Sequence, residues 1–373
     1  MIKLPSKIFS KIFPKIVPQS CLGIDIGTSI IKIVGLSKIG ARVKLDNYGE
    51  TSVLTLYEKP FRTFEKSTLL LSASDIAKAI QAICQEAKIK VKKATFSLPD
   101  FSSFFTNFEL PPMTKKEISQ AVKYAAPQYI PLPLSEVTID WQVIGGKIAD
   151  KKGTKLKMLL VAVPNDAINQ YREIARISNL EIKDLEAEVF SLVRSVIKDT
   201  KRTISLIDIG AQSTTISIID EGLLKISHSF DTAGNELTQQ LAKSLDIDFK
   251  KAEELKKRYG LREIPDSEAG EEKDLRKIAK ILSPLIDSVL NEIKRTCRNF
   301  SQTDKKEIEK IILAGGSALL PGLKEHATSF LKKEVEIANP FSEISYPPIL
   351  DKNLKEMGPS YAIAVGAALR GLE

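Results

Sequence analysis

Two stretches of this sequence are near copies of each other, one in each half of the chain. The first contains Asp25-Ile-Gly27 and the second contains Asp208-Ile-Gly210, each placed after a short apolar run and before a second β-branched run. This pattern predicts two strands joined by a tight turn, because glycine gives the turn the backbone freedom that it needs. A single copy would most often be a plain structural hairpin. The repeat instead favours a duplicated fold whose halves close on one ligand.

The residues around both turns suit a phosphorylated ligand. Thr28 and Ser29 follow the first glycine, and Ser213 and Thr214 follow the second. Their hydroxyls and the N–H groups of the turns can point at one phosphate. The preceding aspartates can hold a hydrated divalent cation beside that phosphate.

A third motif lies near the C-terminus. An apolar run from Lys310 leads into Gly315, Gly316 and Ser317, where a helix is predicted to begin. Adjacent glycines let a ligand lie against the backbone, and the N-terminus of a helix adds a dipole that favours negative charge. This motif strengthens the prediction of a ligand held between two related halves.

Composition narrows the function classes. The 373 residues exceed one ordinary core and predict two or more domains. No apolar run reaches the roughly 18 residues of a spanning helix. Three scattered cysteines and two histidines argue against a disulfide framework or a zinc site. The net charge of +8 suits nucleic acid, a membrane surface or an acidic partner, but no nucleic-acid-binding module is visible and no nucleic acid is expected as a partner.

Residues 1–20 differ from the rest of the chain. Lys3, Lys7, Lys11 and Lys15 repeat every four positions without any acidic residue, and isoleucine and phenylalanine occupy the opposite side of a helical wheel. Prolines within the segment limit the length of such a helix. This basic amphipathic tail is predicted to make a weak contact with an anionic membrane surface, with idle disorder as the alternative.

Residues of about 100–180 interrupt the strands and crossover helix of the first half. They combine an aromatic, proline-rich stretch, a helix that begins with a capping box at Thr114, and alternating strands. They are predicted to form an inserted α/β subdomain that has no phosphate-binding features and is well placed for a partner. After the insert, a helix is predicted over residues 181–198, carrying Glu186 and Glu188.

The two Asp-Ile-Gly turns and the late Ala-Gly-Gly-Ser motif resemble those of the actin-like nucleotide-binding fold. A closer resemblance, over residues 21–373, is to the PilM family of type IV pilus assembly proteins. It is carried by Phe96-Ser-Leu-Pro-Asp100, by Gln128 to Trp141, by Val161-Ala-Val-Pro164 and by Gly358 to Gly371. The resemblance implies an α/β, actin-like two-lobed ATPase fold with an inserted subdomain of the FtsA type.

The resemblance also implies an organisation and a function. The expected domains are a tail over residues 1–20, an N-terminal lobe over residues 21–200 that includes the insert, and a C-terminal lobe over residues 201–373. ATP and Mg²⁺ are the implied cofactors, with at most slow hydrolysis. The implied partners are the N-terminal cytoplasmic peptide of the membrane protein PilN and other pilus assembly proteins. The implied location is the cytoplasm, at the inner face of the inner membrane, in a machinery that supports twitching motility.

Carried over position by position, the resemblance assigns the ligand contacts. Asp25 and Asp208 would orient the metal ion through water molecules. Glu188 is the candidate catalytic residue, although Glu186 lies close enough to leave the register open. The implied cofactor contacts are the first phosphate loop (Asp25, Gly27, Thr28, Ser29 and Lys32), the second phosphate loop (Asp208, Gly210, Ser213 and Thr214), the adenosine face (Gly315, Gly316 and Ser317) and the ribose and base region (Gly234, Glu253 and Lys256).

Glu253 and Lys256 have a plainer interpretation from the residues alone. They lie three positions apart in a predicted helix, so their side chains share one face. Without the resemblance they would be an ordinary surface ion pair that needs no function.

Two other functions share the predicted fold. An FtsA-like division protein has a similarly placed subdomain, but FtsA usually ends in a membrane-binding helix and this sequence ends at Glu373 without one. A small-molecule kinase would need a general base beside the accepting hydroxyl. The insert shows no carboxylate in a suitable polar context, so the kinase is the weaker alternative.

Overall fold

The computed structural model describes residues 19–52, 64–65, 68–69, 72–146, 148, 154–262 and 277–373. The predicted membrane contact of the tail therefore lies outside the described residues, apart from the last two positions of the tail. No described helix is both long enough and apolar enough to cross a membrane.

Strands and helices alternate along most of the described chain. The strands are β1 (Gln19–Ile26), β2 (Ile30–Ile39), β3 (Arg42–Ser52), β4 (Phe64–Glu65), β5 (Thr68–Leu69), β6 (Lys93–Leu98), β7 (Phe104–Leu110), β8 (Val137–Gly145), β9 (Leu156–Pro164), β10 (Glu181–Ala187), β11 (Ile204–Ile209), β12 (Thr214–Asp220), β13 (Leu223–Phe230), β14 (Lys310–Ala314) and β15 (Glu334–Ile337). The α-helices are α1 (Ala73–Glu86), α2 (Lys115–Ala125), α3 (Asn165–Ile177), α4 (Glu188–Val196), α5 (Gly234–Leu245), α6 (Phe249–Tyr259), α7 (Ile278–Asp304), α8 (Leu323–Leu331) and α9 (Asp351–Arg370).

Two five-stranded sheets share one strand order. The first sheet runs β3-β2-β1-β6-β10 and the second runs β13-β12-β11-β14-β15. In both sheets an antiparallel hairpin, β1–β2 or β11–β12, is followed by a parallel neighbour, β6 or β14. This confirms the duplication that the repeated Asp-Ile-Gly stretches predict. It also brings both turns to the carboxyl edge of a parallel pair of strands.

Helices cover both faces of the first sheet. Side chains of β1 alternate between the two faces: Leu22 and Ile24 pack against α1 and α3, whereas Cys21 packs against α9. Helix α9 lies very close to the sheet, since a Cβ added at Gly23 would come within 1.9 Å of the carbonyl oxygen of Ala364. The last helix of the chain thus packs on the first sheet, although the expected division counts residues 201–373 with the second lobe.

The insert is a three-stranded antiparallel sheet, β7-β9-β8, with α2 on one face. The capping box at the start of α2 is present, because Thr114 and Glu117 exchange side-chain to backbone hydrogen bonds. The opposite face of the sheet packs on residues from α4 and β13, so the insert contacts both lobes. Helix α3 falls within the expected insert of about residues 100–180, but it packs in the core of the first lobe, where Tyr171 contacts Phe96.

The prediction of one helix over residues 181–198 is wrong. Residues Glu181–Ala187 form strand β10, which pairs in parallel with β6, and only then does α4 begin at Glu188. Pairing with a strand nearly ninety positions earlier overrides the local helical pattern. As a result, Glu186 lies in a strand and Glu188 lies in the first turn of a helix.

Candidate functional site

The first turn holds its aspartate in a buried setting. The N–H of Gly27 donates to the carbonyl of Ile30 at 3.1 Å and closes the turn between β1 and β2. The carboxylate of Asp25 lies 3.6 Å from Nζ of Lys32 and accepts a hydrogen bond from Oγ of Ser97 at 3.4 Å. Burial raises the pKa of Asp25, and Lys32 and Ser97 oppose that effect. The carboxylate is therefore fixed on both sides before any ligand arrives.

The second turn repeats this arrangement. The N–H of Gly210 donates to the carbonyl of Ser213 at 3.0 Å. Burial and the charge of Asp25 raise the pKa of Asp208 to about 6, while Lys32 lowers it. The negative charge of Asp25 thus disfavours the ionised form of Asp208.

The hydroxyl residues of the two turns differ in their settings. Thr28, Ser29 and Ser213 are partly exposed in their turns. Thr214 is buried instead, and its Oγ1 donates to the carbonyl of Thr232 at 2.7 Å. The hydroxyl of Thr214 thus supports the second lobe internally, whereas the other three remain accessible.

The third motif touches the second turn directly. Gly315 has a φ of +85°, and a Cβ added there would lie 2.4 Å from Oδ1 of Asp208. Oγ of Ser317 donates to the carbonyl of Gly210 at 3.1 Å. Gly316 has no atom within 4 Å of the position that a Cβ would occupy. The motif therefore presents open backbone beside Asp208, which suits the close approach of a flat ligand.

The Glu253–Lys256 pair is not an ordinary surface ion pair. Lys256 is only 5% exposed, and its Nζ lies 2.6 Å from Oε2 of Glu253. The same Nζ donates to the carbonyl of Gly234 at 2.9 Å and to Oγ1 of Thr238 at 2.7 Å. Burial lowers the pKa of Lys256, and Glu253 opposes that effect. Lys256 therefore stabilises the backbone at Gly234. A Cβ added at Gly234 would lie 2.5 Å from Oγ of Ser317, so the stabilised backbone lies next to the third motif.

Glu188, rather than Glu186, joins the aspartates. Burial and the charges of Asp25, Asp100 and Asp208 raise the pKa of Glu188 well above its ordinary value. Glu186 is engaged elsewhere, since its Oε1 lies 2.6 Å from a guanidinium nitrogen of Arg194. Of the two glutamates that the sequence leaves open, Glu188 is thus the one that interacts with the aspartates of both turns.

Two residues near these carboxylates, Asp100 and Tyr171, are not among the site residues predicted from the sequence. Asp100 is buried, and burial together with the charge of Asp208 raises its pKa to about 8, against a hydrogen bond from the N–H of Val189. Tyr171 is also buried, and its hydroxyl has no hydrogen-bond partner among the described residues. Asp100 does have a local signal in the sequence, because it directly follows the apolar run that ends at Leu98 and Pro99. No comparable signal marks Tyr171.

The carboxylates of the two turns are of the type that binds a hydrated divalent cation. In the part of the chain that the structure describes, no three His, Cys, Asp or Glu side chains are grouped to hold a metal ion. Mg²⁺ usually keeps several waters and needs only one or two carboxylates beside the phosphates of a ligand. Asp25 and Asp208 supply two carboxylates of this kind, and Gly316 beside them has no atom within 4 Å of the position that a Cβ would occupy.

Comparisons with known proteins identify relatives of this chain. The sequence model of the family described as type IV pilus assembly protein PilM matches residues 23–372. The cell division protein FtsA of Enterococcus faecalis is 23% identical over 349 residues, which cover 86% of this chain and 78% of FtsA.

Solved structures give the same fold. The PilM-PilN type IV pilus biogenesis complex aligns with a TM-score of 0.80 at 24% identity, covering 95% of this chain and 98% of that chain. MreB5 of Spiroplasma citri bound to ADP aligns with a TM-score of 0.51 at 12% identity, covering 94% and 95%. These likenesses confirm the actin-like two-lobed fold.

Proposed function

This chain belongs to the PilM family of type IV pilus assembly proteins, and we propose that it binds Mg-ATP and docks the N-terminal cytoplasmic peptide of a PilN-like membrane protein. The observation that carries the nucleotide part is the geometry of the duplicated turns and the third motif, in which Gly315 lies against Asp208 and Oγ of Ser317 donates to the carbonyl of Gly210. Docking would keep the protein at the inner face of the inner membrane and link its partner to the pilus motor. An FtsA-like division role is the alternative, with the weaker support of relatives about 23% identical.

The residues of the two turns, the third motif and Glu188 would each contact a different part of the ligand. The N–H groups of the two turns and the hydroxyls of Thr28, Ser29 and Ser213 would face the phosphates, and Asp25 and Asp208 would hold Mg²⁺ through its waters. The bound cation would neutralise carboxylates that otherwise repel one another. Gly315 and Gly316 would lie against the adenosine. Glu188 is the candidate to orient a water molecule, and we propose that any hydrolysis is slow, with ATP mainly setting the angle between the lobes.

Replacing Asp208 tests nucleotide binding. Asp208→Ala should weaken Mg-ATP binding at least tenfold, because it removes a carboxylate that holds the hydrated cation. Isothermal calorimetry with and without Mg²⁺ measures the effect, and Glu254→Ala, an exposed carboxylate on α6, is the matched control. Equal Mg-ATP affinities for wild type and Asp208→Ala would overturn the assignment.

The outer surface of the insert supports peptide docking. Tyr124 on α2 is 84% exposed, and Tyr129 and Leu134 are partly exposed nearby in the sequence. The ring of Tyr129 stacks on Phe108 at 4.9 Å between centroids, so that tyrosine is held in a fixed orientation. Exposed aromatic residues that are already ordered bind a partner at low entropic cost. An extended peptide with apolar side chains would cover them.

A peptide titration tests this surface. Fluorescence anisotropy with a labelled N-terminal cytoplasmic peptide of the PilN-like protein should show about tenfold weaker binding for Tyr124→Ala and for Tyr129→Ala. Ile349→Ala is the matched control, because Ile349 is 87% exposed and lies outside the insert. Crosslinks from the peptide that fall only on the second lobe would contradict the proposal.

A further inference from the structure

A buried turn between the first lobe and the insert meets the first turn of α4. Asp100 follows the carboxyl end of β6, is 5% exposed and begins a short 3-10 turn. Strand β7 of the insert begins at Phe104, so this turn is where the chain leaves the first lobe. Glu188 begins α4 directly after β10, which lies next to β6 in the same sheet.

Two hydrogen bonds run in opposite directions between these turns. The N–H of Val189 donates to Oδ1 of Asp100 at 3.2 Å, and the N–H of Asp100 donates to Oε2 of Glu188 at 3.2 Å. The first N–H groups of a helix have no partner within the helix, and the N-cap residue Ala187 has no side-chain oxygen to offer. Asp100 therefore caps α4 from another segment of the chain.

The apolar surroundings hold this arrangement in place. Ala187 and Val189, on either side of Glu188, pack against Leu159 and Val161 on the inner face of the insert sheet. These contacts fix the backbone at the start of α4. The bond from the N–H of Asp100 is what fixes the carboxylate itself.

We propose that Asp100 is a positioning residue of the candidate nucleotide site, acting through Glu188. This inference rests on the proposed binding of Mg-ATP. Asp100 holds the Glu188 carboxylate beside Asp25 and Asp208, where a hydrated cation would be bound. The role is distinct from that of the aspartates in the two repeated turns, since Asp100 is not expected to contact the ligand.

A double-mutant cycle tests the proposal, with Mg-ATP affinity measured by calorimetry. Glu188→Gln should weaken binding about fivefold in the wild-type background and less than about twofold in the Asp100→Ala background. Alanine keeps the N–H that binds Glu188 but removes the bond from Val189 to the Asp100 side chain, so the two turns separate and this N–H no longer reaches the carboxylate. Asp100→Asn keeps an acceptor for Val189 and should preserve the full effect of Glu188→Gln. Additive effects, or no effect of Glu188→Gln in the wild-type background, would overturn the proposal.

A ligand-free readout separates this inference from the proposed function. Hydrogen exchange at the amide of Val189 should be faster in Asp100→Ala than in Ser102→Ala, a matched change in the same turn that removes only the bond from Ser102 to the carbonyl of Pro99. If wild type binds no Mg-ATP, the proposed function fails, while exchange still reports on the contact. Equal exchange in the two variants would show that Asp100 does not hold α4.

Discussion

The carboxylates of the candidate site should destabilise the protein when it has no ligand. Asp208 shows this most directly, because burial and the charge of Asp25 raise its pKa from 3.8 to about 6. Asp208→Asn removes the charge that is disfavoured and keeps the shape. We therefore expect this variant to be more stable than wild type at pH 8, while it loses Mg-ATP binding.

The sign and size follow from proton linkage. Since native Asp208 binds its proton more tightly than the unfolded chain does, this group favours folding most below pH 3.8 and loses that contribution as the pH rises through about 6. A difference of about 2 in pKa corresponds to roughly 3 kcal/mol. Because Asp208 is partly exposed, solvent screens part of this cost. The expected gain for Asp208→Asn at pH 8 is therefore about 1–3 kcal/mol.

Urea unfolding without nucleotide measures this effect at pH 5 and at pH 8. Wild type should lose more stability between the two values than Asp208→Asn, and the two curves should approach each other at low pH. Glu254→Gln, a change at an exposed carboxylate, should follow wild type at both values. If Asp208→Asn is no more stable than wild type at pH 8, the repulsion between the two turns is not a cost to folding.

Three further substitutions are expected to act in different ways. Gly366→Ala should lower the free energy of unfolding, measured in urea, by at least about 2 kcal/mol, because the new Cβ would lie 1.7 Å from the carbonyl oxygen of Ser191. A variant as stable as wild type would contradict the close packing of α9. Gly316→Ala should leave the melting temperature unchanged, since no protein atom lies within 4 Å of the new Cβ. The added methyl group should weaken ATP binding, measured by calorimetry, about fivefold. Unchanged affinity would show that this backbone does not face the ligand. Tyr171→Phe should raise stability by about 1 kcal/mol, because it removes a buried hydroxyl without a partner among the described residues, and a loss of stability would mean that the hydroxyl is bound to water.

The duplicated hairpins could be predicted from the sequence because each is a local structure. Every residue of the first turn, from Asp25 to Lys32, lies within one short stretch, and the same holds for Asp208 to Thr214. Alternation and turn residues therefore identify both strands and the glycine between them. The repeat then predicts that the two turns share a site, without any knowledge of how the lobes pack.

Asp100 and the choice between Glu186 and Glu188 could not be predicted from the residues alone, because distant strand pairing brings Asp100 and Glu188 together. Strand β10 places Glu188 beside Asp100, although nearly ninety positions separate them, and its residues have no strong local preference for a strand. When residues 181–198 are predicted as one helix, the prediction lacks the end of strand β10, and Glu188 directly follows that strand end. Burial is the other missing quantity, since the Glu253–Lys256 spacing is the same on an exposed helix face as in the buried network that the structure shows.

The two faces of the insert sheet contact the regions proposed for the two ligands, which are the peptide and the nucleotide. Met158 and Leu160 point toward α2, which carries the exposed Tyr124, whereas Leu159 and Val161 point toward α4 and the second lobe. A peptide on the outer side of α2 is therefore separated from the first turn of α4 by that helix and a single layer of strands. The ion pair between Lys157 and Asp304, at 2.9 Å, attaches the same sheet to the second lobe. The chain of the insert leaves and re-enters the first lobe, and its sheet also packs against the second lobe. Any change in the angle between the lobes must therefore either break these contacts or move the insert.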